Sequence, residues 1–224
     1  MRSFVRENSL GLFFLVLFLV VVAAQSFVGW LDFNEEARAH EGAEYSYGRY
    51  VLSSQFGQAV LENWQSEYLQ FLVFIVATVW LVQRGSPESK KVEKAGPESD
   101  REQFVGRFAL RSSPRAAKAS GWRTWLYENS LLLVFGALFV GSWVGQSVTG
   151  LTQYNEEQRG HGSAPVSWLG YLKRPDFWEA TLQNWQSEFL AVGSMVVFAV
   201  YLRQRGSPES KPVGAPHGKT EVSG

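Results

Sequence analysis

A chain of 224 residues with 21 Lys+Arg and 21 Asp+Glu carries no net charge, which argues against nucleic acid as a partner. It has no cysteine, so disulfides, thiol nucleophiles, iron–sulfur ligation and covalent c-type haem attachment are excluded. Aromatic residues make up 15% of the chain and include nine tryptophans, a composition at home near a membrane–water boundary.

In chain order, Arg2 and Arg6 precede an uncharged run from Asn8 to Leu31. Such a start looks like a signal peptide, with Val22-Ala23-Ala24 as a cleavage site. The run is long for that role, and a matching run stands in mid-chain at Asn129–Tyr154, where no signal peptide operates. Both runs are therefore read as membrane helices, at about 10–30 and 130–150. The segment 31–62 is acidic: Asp32, Glu35, Glu36, Glu41, Glu44 and Glu62 outnumber Arg38 and Arg49. A second apolar run follows. Between Glu67 and Arg84 lie 16 uncharged residues, and between Glu188 and Arg203 lie 14. A hydrocarbon core of about 30 Å needs roughly 20 residues at about 1.5 Å each, so both helices are expected to reach back through a glutamate to a tryptophan. That places membrane helices at about 64–83 and 185–204. Arg84-Gly85-Ser86-Pro87 reads as a helix stop, with a cation, a glycine and a proline in turn.

Residues 84–123 carry ten basic side chains among Ser, Gly and Pro, and 91–122 reads as a basic, disordered linker. Within it, Phe104, Val105, Phe108 and Leu110 alternate with Arg107, Arg111, Arg115 and Lys118, a mixture suited to an anionic membrane surface, although Pro114 opposes a long helix. In 151–184, Asp176 and Glu179 have capping-box spacing and suggest that the last helix starts near 177. Residues 212–224 read as a flexible tail.

The chain repeats itself. At a constant offset of 121, residues 2–90 align with 123–211 without a gap. Asn63-Trp64-Gln65-Ser66-Glu67 returns as Asn184-Trp185-Gln186-Ser187-Glu188. Asn34-Glu35-Glu36-x-Arg38-x-His40 returns as Asn155-Glu156-Glu157-x-Arg159-x-His161, and Arg84 to Lys90 return as Arg205 to Lys211. Apolar filler drifts between these blocks while the polar residues persist. The expected organisation is a first repeat at 1–90, the linker at 91–122, a second repeat at 123–211 and the tail. Basic residues concentrate at the N-terminus, linker and tail, so both termini are expected in the cytoplasm and the acidic segments outside. The expected fold is an all-α membrane protein of four transmembrane helices, built as two parallel two-helix repeats with partly helical outer segments.

Two constellations carry chemistry. Asn63, Ser66 and Glu67 share a helix face, as do Asn184, Ser187 and Glu188. Gln25 and Ser26, with Gln146 and Ser147, lie at similar depth on the preceding helices. Together they form either polar glue between helices or a polar membrane site bearing two carboxylates. In the second constellation, Glu36 and His40 are spaced i, i+4, so Glu35, Glu36, His40, Glu156, Glu157 and His161 are metal candidates. The spacing matches no named metal motif. No cofactor is predicted beyond that metal ion.

The blocks Asn-Glu-Glu-x-Arg-x-His, Asn-Trp-Gln-Ser-Glu and Arg-Gly-Ser-Pro-Glu-Ser-Lys together resemble a family of bacterial membrane proteins described only as a domain of unknown function. The resemblance covers both repeats. It implies a bacterial inner-membrane location and brings no activity and no functional residue.

Three function classes remain. The first is small-ion or proton-coupled permeation, with Glu67 and Glu188 as titrating groups and a homo-oligomer expected, since four helices are few for a pathway. The second is a structural or sensing membrane protein that docks a partner through its outer segments. The third is a metal-dependent membrane enzyme using Glu35, Glu36, His40 and their equivalents.

Overall fold

The computed structural model describes residues 2–221. Eight α-helices follow one another among these residues: α1 (Arg2–Glu7), α2 (Ser9–Ala39), α3 (Tyr47–Val51), α4 (Ser54–Trp80), α5 (Trp122–Glu128), α6 (Ser130–Gly160), α7 (Trp168–Tyr171) and α8 (Pro175–Tyr201). The starts of α2, α3 and α4 recur 121 residues later in α6, α7 and α8, and so do the ends of α2 and α4.

Local chemistry sets these boundaries. The side-chain amide of Asn8 donates to the Phe4 carbonyl at 2.8 Å and the Ser9 hydroxyl to the Arg6 carbonyl at 3.1 Å, and α2 starts there. Asn129 and Ser130 do the same with Trp125 and Tyr127, each at 2.8 Å, where α6 starts. Polar side chains that bond back to nearby backbone in this way interrupt a helix. Pro175 opens α8 in the first turn, where its missing N–H costs nothing. α2 and α6 both outrun their apolar stretches and carry the acidic Asn-Glu-Glu blocks in their last turns.

The expected four-span bundle of two two-helix repeats is corrected here. Among the described residues, two helices are long and apolar enough to cross a membrane, α2 and α6, by length and composition. The physical reason lies in where α4 and α8 stop. They end at Trp80 and Tyr201, so the part beyond the glutamates spans only 68–80 and 189–201. Thirteen residues reach about 20 Å, short of a core of about 30 Å. The preceding half of α4 holds Gln55, Gln58, Glu62, Asn63, Gln65, Ser66 and Glu67, and that of α8 holds Asp176, Glu179, Gln183, Asn184, Gln186, Ser187 and Glu188. Length alone does not make a helix apolar enough to span.

The chain divides into two compact units, one of residues 1–60 with 145–168 and the other of 61–144 with 169–224. In the first unit, α3 folds back on α2. Tyr50 is buried, with the rings of Phe33 and Phe56 at 5.8 and 5.7 Å, and its hydroxyl rests against Gly29, where a Cβ would collide with it. The Thr149 hydroxyl donates to Gln58 Oε1 at 3.2 Å beside Gly57. In the second unit, the first half of α6 packs aromatic rings on both long neighbours. Phe135 meets Tyr68 and Phe71 of α4 at 6.2 and 5.3 Å. Trp143 meets Phe177 of α8 edge-on at 5.6 Å, and Phe139 meets Trp185 at 6.4 Å. Phe177 is 1% exposed and also touches Tyr171 and Trp178, each at 5.4 Å, so it anchors this unit.

The linker folds into short 3-10 turns at Val92–Lys94, Gly106–Phe108 and Arg115–Lys118. Within the second unit, Thr220 accepts from the Gly85 N–H at 3.0 Å and Glu221 from the Lys91 N–H at 3.2 Å. Residues 222–224 lie outside the described residues.

Candidate functional site: paired carboxyls on α4 and α8

Asn34 is almost fully buried near the end of α2, where its amide clasps one residue of the returning chain. Asn34 Nδ2 donates to the Tyr45 carbonyl at 2.9 Å, and the Tyr45 N–H donates to Asn34 Oδ1 at 2.7 Å. Asn155 grips Val166 identically, at 3.0 and 2.8 Å. The asparagine of each acidic block therefore sets the turn that carries α3 or α7. Its neighbours Glu35, Glu36 and His40 point to solvent, as do Glu156, Glu157 and His161. Each histidine ends its helix through its own backbone N–H, bonded to the Glu36 or Glu157 carbonyl at 3.1 Å. Among the described residues, no group of three or more His, Cys, Asp or Glu side chains is placed to hold a metal ion. Asn34→Ala and Asn155→Ala should each cost about 1–3 kcal/mol, because two partly buried backbone groups lose their partners. Thermal unfolding of the purified variants measures this.

The Gln-Ser pairs diverge. Gln25 is exposed, whereas Gln146 is fully buried. Ser26 shares a 2.7 Å hydrogen bond with the Tyr47 hydroxyl, and Ser147 accepts from Trp168 Nε1 at 2.9 Å. Tyr47 and Trp168 stand at equivalent positions of α3 and α7, so these serines dock the short helices.

The Asn-Trp-Gln-Ser-Glu blocks meet in the second unit. Trp185 Nε1 donates to Oε1 of the fully buried Gln65 at 2.7 Å, and Asn184 Nδ2 donates to Glu62 Oε1 at 2.9 Å. The hydroxyls of Ser66 and Ser187 turn back onto Asn63 and Asn184, each at 2.8 Å. Glu62, Gln65 and Trp185 thus join the two helices, a role that sequence reasoning missed. Only pairwise packing selects Gln65, which is buried, over Gln186, which is exposed. α4 and α8 run side by side in the same direction, so Glu67 and Glu188 come close enough for their charges to interact.

The Arg-Gly-Ser-Pro-Glu-Ser-Lys blocks do more than stop helices. In the first, the Gln83 N–H donates to Ser89 Oγ at 2.8 Å and the Glu88 N–H to Ser86 Oγ at 3.3 Å. In the second, Gln204 and Glu209 donate to Ser210 and Ser207 at 2.9 and 3.2 Å. Both glycines take the left-handed conformation the turn requires, Gly85 at φ 91° and Gly206 at φ 84°. Each lysine pins the chain that follows. Lys90 reaches the Gly96 carbonyl and Glu98, both at 3.1 Å. Lys211, 1% exposed, reaches the carbonyls of Pro216 and His217 at 3.2 and 2.6 Å.

These matched turns present Glu88 and Glu209 to each other. Their side chains hydrogen-bond, which requires a proton on one of them. That bond, partial burial and the neighbouring charge together raise the Glu88 carboxyl from the ordinary glutamate range to about 7. Two cavities, of about 220 and 300 Å³, open beside Glu88 along α4 and α8. The larger is walled by Phe71, Phe74, Val192 and Met195, and Glu88 and Glu209 are the titratable side chains on the two linings. Chemically, the arrangement can hold one proton between two carboxyls at neutral pH.

Comparison with curated proteins and with solved structures gives no match. The chain belongs to the family described as Domain of unknown function (DUF6766), which matches residues 1–222.

Proposed function

We propose that this is a membrane protein that responds to protons through paired carboxyls, with Glu88 and Glu209 as the proton-holding pair. The observation that carries this reading is the meeting of two identically built turns, which bring equivalent glutamates into a shared hydrogen bond. The length and apolar composition of α2 and α6 support placement in a membrane. Family membership adds no activity, and the resemblance carried by the repeated polar blocks favours a bacterial inner membrane. Below neutrality the shared proton ties the ends of α4 and α8. Above it, two carboxylates repel and the ends are released.

A second reading, proton-coupled permeation, draws on the other carboxyl pair of the same two helices, Glu67 with Glu188. Two candidate spans among the described residues are few for a pathway, so this reading requires several chains together. Purified protein in liposomes loaded with a pH-sensitive dye separates the two. Proton flux that disappears in E67Q/E188Q supports permeation. Absence of flux, with a pH-dependent change between pH 6 and 8 that vanishes in E88Q, supports response without transport. Neither flux nor pH-dependent change overturns both.

A further inference from the structure

From Gln103 to Tyr127 the chain has five cationic side chains, Arg107, Arg111, Arg115, Lys118 and Arg123, and no acidic one. All five are exposed, and among the described residues none is ion-paired. Large apolar side chains stand exposed among them: Phe104 and Leu110 at 51%, Trp125 at 55% and Trp122 at 68%. A soluble surface rarely shows both features over one short stretch.

The fold holds this stretch beside the start of a candidate span. The Lys118 ammonium donates to the Arg111 carbonyl at 2.7 Å, and the Thr124 hydroxyl of α5 reaches the Ala116 carbonyl at 3.4 Å. α5 meets α6 at the break marked by Asn129, where backbone bonds still link the two helices. The Asn129 N–H bonds the Trp125 carbonyl at 3.1 Å, and the Leu133 N–H bonds the Asn129 carbonyl at 2.9 Å. Trp122 and Trp125 therefore sit one to two turns before the apolar run of α6, at the height where indole rings favour the headgroup region. Arg107 lies over the Phe108 ring at 4.7 Å and Arg123 over the Trp122 ring at 5.7 Å, so guanidinium and ring face the same layer.

We propose that residues 104–126 form a docking surface for an anionic phospholipid leaflet, with the cations on headgroup phosphates and Phe104, Leu110, Trp122 and Trp125 in the interfacial layer. Charge complementarity and continuity with α6 select lipid as the occupant. Cations near an anionic leaflet attract it by about fivefold each, so the five together bias the segment strongly towards it. The inference rests on the membrane reading above.

The chain lacks cysteine, so Ser112→Cys gives it one labelling site. The labelled protein is placed in nanodiscs of phosphatidylcholine alone or with three-tenths phosphatidylglycerol. An environment-sensitive dye at Cys-substituted position 112 should shift to the blue only in the anionic discs. The shift should be reversed by about 0.5 M salt, which shortens the Debye length to a few ångströms. It should be lost when the five cations become glutamine and halved when Trp122 and Trp125 become alanine. Equal signals in the two lipids overturn the proposal, as does a shift that survives the five replacements, or one produced in neutral discs by an added acidic peptide. Failure of the chain to enter either disc would instead overturn the membrane reading, so the two failures are told apart.

Discussion

Replacing Phe177 with alanine should destabilise the protein by about 3–5 kcal/mol, the largest single-site effect expected here. Phe177 is 1% exposed and holds Trp143, Tyr171 and Trp178 around one ring. Removing the ring opens a cavity that three rigid aromatic neighbours cannot close, so the transfer and cavity costs add. The equivalent residue 121 positions earlier is Phe56, which packs on Tyr50 as Phe177 packs on Tyr171. Phe56 is only partly buried, and Phe56→Ala should cost roughly half as much. Denaturation of both variants in the same detergent checks the ordering. Equal costs would contradict the packing described for α6 and α8.

The second large effect is in pH dependence. Glu88 titrates near 7 in the folded chain and near 4.5 when unfolded. Between those values the folded state holds the proton and the unfolded state does not, so stability falls as pH rises. The contribution is fully present below about 4.5 and is lost as pH passes 7. Glu88→Gln should remove this slope, because glutamine keeps a donor and cannot ionise. Glu209→Gln should return Glu88 towards the ordinary glutamate range by removing the carboxyl–carboxyl hydrogen bond and, with it, the neighbouring charge. Spin labels at Leu81→Cys and Leu202→Cys, exposed equivalent positions just beyond α4 and α8, provide a direct measure. Their separation should widen in the wild type between pH 6 and 8 and stay constant in E88Q.

What was legible in the sequence follows from how local each feature is. The 121-residue spacing of α2 with α6 and of α4 with α8 could be read because polar blocks recur intact. The four-span expectation failed for a physical reason. It took the need for about 20 residues as grounds to extend a helix through Glu67 and Glu188, but helical length does not make a carboxylate-bearing half apolar. α4 and α8 are long helices, and their polar halves bond to each other through Gln65 with Trp185 and Glu62 with Asn184. Such pairing depends on which faces meet, so nothing in the pattern singled out Glu62 or Trp185.

The Arg-Gly-Ser-Pro-Glu-Ser-Lys block shows a different gap. Its glycine and proline announced a helix end, and the helices do end just before it. The serines that tie Gln83 and Gln204 are also local, and the matching clasps could have been inferred from two serines flanking a proline and a glutamate. The meeting of Glu88 with Glu209 lies 121 residues apart in sequence and depends on the parallel course of α4 and α8. Asn34 offered the opposite lesson. Its neighbours Glu35, Glu36 and His40 drew attention as metal candidates, yet the asparagine makes the built contact, to Tyr45.

Infrared difference spectroscopy of the reconstituted protein, titrated from pH 5 to 9, tests the central claim most directly. The stretching band of a protonated carboxyl should disappear with a midpoint near 7, be absent in E88Q and move to lower pH in E209Q. A wild-type chain with no protonated carboxyl above pH 5.5, or a band that persists unchanged in E88Q, would contradict the account.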